Sequence, residues 1–155
     1  MTLGVGGSNP QEQLQQLRNM TAGVSAIAIA DYKARLVGAC ALMADAGLEA
    51  IYLNAGTNLY YFTGTRWSPS ERMVGAFLTV GGDLHYIAPA FERGTLQDYI
   101  TITGEIHCWE EHESPYQLAG NVLKSAGISS GQIGLDESTP FFLVSGLQAT
   151  NPGYD

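Results

Sequence analysis

The chain is short of positive charge: seven Lys and Arg stand against fifteen Asp and Glu, for a net charge of −8 over 155 residues. Phosphate backbones and anionic lipid surfaces are held by clustered Lys and Arg, so this shortage argues against both partners. Long apolar runs are also missing, and nothing approaches the roughly 18 consecutive apolar residues that cross a bilayer. Cysteine is scarce: Cys40 and Cys108 each sit inside an apolar segment. Such half-buried thiols fit a reducing compartment better than a disulfide-stapled secreted domain. The N-terminus, MTLGVGGSNPQEQ, has neither the basic region nor the apolar core of a signal peptide. The Asn19-Met20-Thr21 sequon therefore has no secretory context, and the cytoplasm is the expected location.

Catalytic signatures are absent too. There is no P-loop, HExxH, CxxC or GxSxG pattern. Gly4-Val5-Gly6-Gly7 follows no strand, so it lacks the context of a dinucleotide-binding loop, and Ser145-Gly146 lacks the first glycine of a nucleophile elbow.

What is present suffices for one domain with one core: 45% of residues are apolar and only 14% are charged. Residues 1–10, rich in Gly, Ser and Pro, read as a flexible arm, followed by a short helix over Gln11–Met20. Asp31 is the expected N-cap of a helix to Ala46, with Leu36, Val37, Cys40, Leu42, Met43 and Ala44 at helical spacing and Gly47 as its stop. Strands are expected over Leu48–Leu53, Met73–Val80, Leu84–Ala88, Ile100–Trp109 and Gln132–Asp136, with a turn at Gly81-Gly82-Asp83. Phe91–Tyr99, Pro115–Gly127 (capped by Ser114) and Pro140–Gln148 read as helices. The alternation implies an α/β domain with a mixed sheet.

Two groups of residues invite a chemical reading. His107, His112 and the carboxylates Glu110, Glu111 and Glu113 can be read as metal ligands, but also as a strand end followed by a solvated acidic loop. Asp136 and Glu137 close a strand, where adjacent acids can bind Mg²⁺; no second acidic strand end accompanies them, so a surface role is expected.

The order of segments carries more. An Arg35-Leu36 helix ending in a glycine leads to a strand and then to Asn58-Leu59-Tyr60-Tyr61-Phe62-Thr63-Gly64. A Trp109-acidic segment precedes a Pro-started helix, and Ile133-Gly134-Leu135-Asp136 precedes a final apolar helix. Over roughly residues 25–150 this resembles the N-terminal domain of the creatinase, prolidase and aminopeptidase P family of pita-bread metallopeptidases. Relatives more often have Leu where Phe62 stands.

The resemblance implies a mixed, five- to six-stranded sheet flanked by helices, with ribonuclease H-like architecture. It implies an arm over residues 1–24 and the family domain over residues 25–155. It also implies a parent Xaa-Pro dipeptidase or aminopeptidase acting on proline-containing peptides, and a homodimer. The two divalent metals (Mn, Co or Zn) of such enzymes belong to a separate C-terminal domain. This chain is accordingly expected to be an N-terminal piece with no catalytic residue and no metal of its own, ending in a linker at LQATNPGYD. By the same resemblance, the loop after Thr63-Gly64 reaches an active site, which makes Arg66 and Trp67 the expected substrate-binding residues. A planar guanidinium suits a substrate carboxylate, and an indole suits a proline ring. The alternatives are Trp67 merely packing on the sheet edge with Arg66 solvated, and a binding module that has lost peptidase activity.

Overall fold

The computed structural model describes residues 5–155. Strands β1 (Leu48–Asn54), β2 (Gly75–Thr79), β3 (Leu84–Pro89), β4 (Glu105–Trp109) and β5 (Gln132–Leu135) form one sheet in the order β4-β3-β2-β1-β5. The β1–β2 and β2–β3 pairs are antiparallel, whereas β3–β4 and β1–β5 are parallel. The sheet is therefore mixed, as expected, with five strands among the described residues.

Gly81-Gly82-Asp83 makes the expected hairpin, closed by Thr79 N–H donating to the Asp83 carbonyl at 3.0 Å. Parallel partners need a crossover, which helix α4 (Arg93–Tyr99) supplies between β3 and β4. Two strands start later than their apolar runs suggest. Met73 and Val74 are buried but precede β2, and β4 begins only at Glu105 because the chain is still leaving α4 at Ile100.

Helix α2 (Ile29–Ala46) begins before Asp31, correcting that residue's assignment as N-cap. Asp31 lies at the third helical position, where its carboxylate accepts from the Ala28 amide at 2.8 Å. An acid there accepts from the cap residue's own amide, the reciprocal of a cap's bond to the third-position amide, and meets the same positive helix end. Gly47 ends the helix at φ 71°, as expected of a left-handed stop. Tyr32, Leu36, Ala39 and Met43 form its buried stripe, while Val37 and Leu42 stay exposed at 71% and 72%. More apolar positions recur along α2 than one face can bury.

Side chains alternate across the sheet with period two. Leu53, Ala76, Leu78 and Tyr86 meet α2, α4 and helix α3 (Thr57–Thr63) on one face. Tyr52, Phe77, Ile87 and Trp109 meet helices α5 (Pro115–Ser125) and α6 (Phe141–Thr150) on the other. Covered on both sides, β2 and β3 are buried at every position and read as continuous apolar runs. Gly75 is required where β1 and β2 approach, because a Cβ there would lie 2.4 Å from the Leu53 carbonyl oxygen. Cys40 and Cys108 are half-buried and unpaired.

The ends depart from expectation. Residues 1–4 of the expected arm lie outside the described residues. The helix read over Gln11–Met20 is shorter, α1 (Pro10–Gln16), held by an Asn9–Glu12 capping box and burying nothing. Leu14 and Leu17 are exposed at 65% and 73%, so their spacing marks no core face. In place of a linker, the last residues pack along β5. Ile133 N–H donates to the Asp155 carbonyl at 2.8 Å, and the Tyr154 hydroxyl donates to the Ile128 carbonyl at 2.7 Å.

Leu59 is fully buried beneath α3 and seats that helix on the sheet. Leu59→Ala removes its packing and leaves a cavity, so urea unfolding should show a loss of about 2–5 kcal/mol. A loss below about 1 kcal/mol would mean that α3 is not anchored there.

Candidate functional site

The aromatic stretch before Arg66 forms α3, its cap is Gly56 at φ 121°, and Asn58 is its second residue. Leu59 and Thr63 point inward and are fully buried, while Tyr60 and Phe62 are half-buried and Tyr61 is exposed. The Thr63 hydroxyl donates back to the Leu59 carbonyl at 2.6 Å. Arg35 of α2 donates to the Tyr61 carbonyl at 2.7 Å and stacks 4.2 Å from the Tyr61 ring centre, tying the two helices together. Gly64 then turns the chain at φ 73°. A Cβ on it would press on Thr101 at 2.9 Å and on the Tyr32 ring at 3.0 Å, so both angle and space require glycine.

Beyond Gly64 the structure brings the two expected site residues, Arg66 and Trp67, to the wall of one open cleft shared with Pro69, Thr95, Asp98 and Tyr99. Trp67 is half-buried and meets Tyr99 edge-on, with ring centres 6.0 Å apart. It also packs against the core, so it serves as wall and anchor together. Arg66 is exposed, with its guanidinium 5.1 Å from the Tyr60 ring centre and donating to the Tyr60 hydroxyl at 3.3 Å. That hydrogen bond, followed by contact with Tyr32, lowers the Tyr60 pKa below its ordinary value; the same contact with Tyr60 raises that of Tyr32. Glu92 lies on the cleft as well. The cleft thus offers a guanidinium fork for a carboxylate, aromatic edges for an apolar ring, and acids suited to an amine.

The histidines are arranged differently from the sequence reading. His107 does not cluster with His112 and the acidic loop. Glu111 is bound by Arg72 at 2.8 Å, Glu113 accepts from the Glu110 amide at 2.9 Å, and His112 is exposed. The loop is a solvated, self-bonded turn. His107 instead faces His85 across the parallel β3–β4 pair, with Nε2 3.2 Å from the His85 Nδ1. Glu105 joins them, its Oε2 3.5 Å from the His85 Nδ1 and 3.4 Å from the His107 Nε2. This is the one such group of possible metal ligands among the described residues. Burial, then the neighbouring His85, lowers the His107 pKa, which favours the neutral imidazole.

Asp136 belongs to no such group. Burial alone would raise its pKa, but hydrogen bonds from Ser138 and Asn58 hold it below the usual range. It accepts from the Ser138 amide at 2.9 Å, which makes it a turn-forming residue.

The family model described as Creatinase/Prolidase N-terminal domain matches residues 35–155. "Probable dipeptidase PepE" of Mycobacterium tuberculosis (strain ATCC 25618 / H37Rv) is 32% identical over 101 residues, 64% of this chain and 27% of that protein. The chain spans about a quarter of the length of the curated relatives it matches. Recombinant prolidase from Thermococcus sibiricus superposes with a TM-score of 0.68 at 25% identity, covering 84% of this chain and 34% of that one. The N-terminal domain of Xaa-Pro dipeptidase from Lactobacillus brevis superposes at 0.70 with 17% identity, covering 78% of this chain and 90% of that one. It shares the fold over nearly its whole length. No helix among the described residues is long and apolar enough to cross a membrane.

Removing the Arg66 guanidinium takes away the interaction that most favours ionised Tyr60. In Arg66→Ala the Tyr60 titration midpoint, followed by the ¹³Cζ shift, should therefore move to higher pH. An unmoved Tyr60 midpoint would show that the two side chains are not paired in solution.

Proposed function

We propose, since this chain belongs to the creatinase/prolidase N-terminal domain family, that it is the non-catalytic N-terminal domain of a proline-directed dipeptidase of the Xaa-Pro type. The observation that carries this reading is the family match over residues 35–155, set beside solved N-terminal domains of Xaa-Pro dipeptidases that this chain covers to about nine-tenths of their length. The absence of any catalytic motif from the sequence agrees with it. Chemistry then resides in a partner domain carrying the two divalent metals, and this domain, in a cytoplasmic homodimer, contributes to subunit contact and to the substrate-access wall.

In this reading residues 25–155 form the domain proper, and residues 1–24 are an arm. The Arg66–Trp67 segment is the part of the domain that meets substrate. Its guanidinium pairs with the peptide's terminal carboxylate, and the Trp67 indole lies against the proline ring. Rigidity supports the assignment. Gly64 is wedged between Tyr32 and Thr101, and the Thr101 hydroxyl donates to the Gly64 carbonyl at 3.3 Å. The segment thus leaves the core from a fixed point, as a positioning element needs. Exposed apolar side chains on α2, Val37 and Leu42, offer contact area to a neighbouring domain or subunit.

The test uses the full open reading frame with Mn²⁺ and Xaa-Pro dipeptides. Arg66→Ala should lower kcat/KM roughly 10- to 100-fold, the range expected for losing a charge-assisted hydrogen bond. Trp67→Ala should lower it about tenfold, chiefly through KM. Wild-type kinetics in both variants would remove the site assignment, and a full-length protein inert toward every Xaa-Pro substrate would favour a binding module.

A further inference from the structure

We propose that His85, His107 and Glu105 form a zinc-class metal site of this domain's own, on the sheet face covered by α5. This goes beyond the peptidase reading and does not depend on it, since it concerns ligands that all lie within this chain. It also departs from the expectation that the chain holds no metal.

The geometry is the main argument. Zinc binds imidazole nitrogen and carboxylate oxygen at about 2.0–2.1 Å, so ligand atoms at the corners of a tetrahedron stand about 3.3–3.4 Å apart. The three ligand atoms here are separated by 3.2, 3.4 and 3.5 Å. One ion slightly out of their plane satisfies all three distances, leaving the fourth position to water.

The backbone register places all three ligands. His85 pairs with Glu105, and Ile87 with His107, in the parallel β3–β4 register, so all three ligands share one face of two adjacent strands. His85 is only 8% exposed, and its Nε2 has no hydrogen-bond partner. With its proton on Nε2, His85 directs the Nδ1 lone pair at the other two ligands. A direct His–His hydrogen bond uses only one of the two facing lone pairs, whereas a metal uses both. Glu105 is exposed and supplies the negative charge.

The surroundings suit a cation. The last turn of α5, at Val122, Ser125 and Ala126, lines the same cleft as Asp83 and the two histidines, and helix C-termini carry partial negative charge. The opposing charge, Arg93, is turned toward Cys108, 3.9 Å from its sulfur, on the other face of β4. Two imidazoles and one carboxylate favour Zn²⁺ over Mn²⁺ and Mg²⁺.

Calorimetric titration of the untagged, chelator-treated chain with ZnCl₂ tests this. One equivalent should bind with low-micromolar or tighter affinity, and Mn²⁺ far more weakly. His107→Ala and Glu105→Gln should each weaken binding, the histidine change by at least about 100-fold. Glu105 is exposed, so its variant remains informative if a histidine variant fails to fold. His112→Ala, which removes the exposed loop histidine, should change nothing. Zinc at about a hundred times its Kd should raise the Tm by roughly 5–10 °C. Absence of saturable binding, or binding unaffected by Glu105→Gln and His107→Ala, would leave only a His–His hydrogen bond and overturn the site. Neither result bears on peptide hydrolysis by the longer protein.

Discussion

A sheet with helices on both faces has no water with which to satisfy the polar groups at its centre, and the rest of this structure follows from how those groups are satisfied. Three large aromatic residues do so with a polar tip. The Tyr52 hydroxyl donates to the Val74 carbonyl at 3.0 Å, the Trp109 indole to the Met73 carbonyl at 3.3 Å, and the Tyr86 hydroxyl to the Ile102 carbonyl at 2.7 Å. An unpaired carbonyl there would cost on the order of 1–3 kcal/mol. Burial pushes the Tyr52 and Tyr86 pKa values up, so both hydroxyls remain protonated and able to donate.

These bonds also determine where the surface chemistry lies. Met73 and Val74 end the loop that carries Arg66 and Trp67, while Ile102 neighbours Thr101, which holds the Gly64 carbonyl. The core therefore grips both ends of the exposed segment and one side of its cleft. On the other face, the β3–β4 register that buries Ile87 and Trp109 sets His85 beside Glu105 and His107. The two candidate surfaces are thus by-products of the packing of one sheet, on opposite sides of it.

Much of this was legible beforehand because it depends on short-range physics. Gly47 and Gly64 stop helices for reasons visible in any window of sequence, and Gly81-Gly82 between two apolar runs makes a hairpin wherever it occurs. Helix α2 starts three residues before the expected place: Asp31 lies at its third position, and the cap is Ala28. Polar side chains favour both the cap and the third position, each accepting from the other residue's amide, so sequence alone does not separate the two placements. The final residues depart from the sequence expectation for a different reason. A polar, Gly- and Pro-containing end looks like a linker until Tyr154 finds the Ile128 carbonyl, a partner 26 residues away.

The sequence by itself determined the order of elements, the glycine turns and the family, because each is written in local spacing and in motifs a few residues long. The tertiary structure alone decided which polar residues meet. His107 lies close in sequence to the histidine of the acidic loop, yet its partner is His85, 22 residues earlier, brought alongside by a crossover and a parallel register that no local pattern encodes. Likewise Arg66 is an isolated cation in the sequence and becomes half of a pair only because α3 places Tyr60 one turn and a glycine before it. Register follows from which faces are buried, and burial belongs to the whole domain.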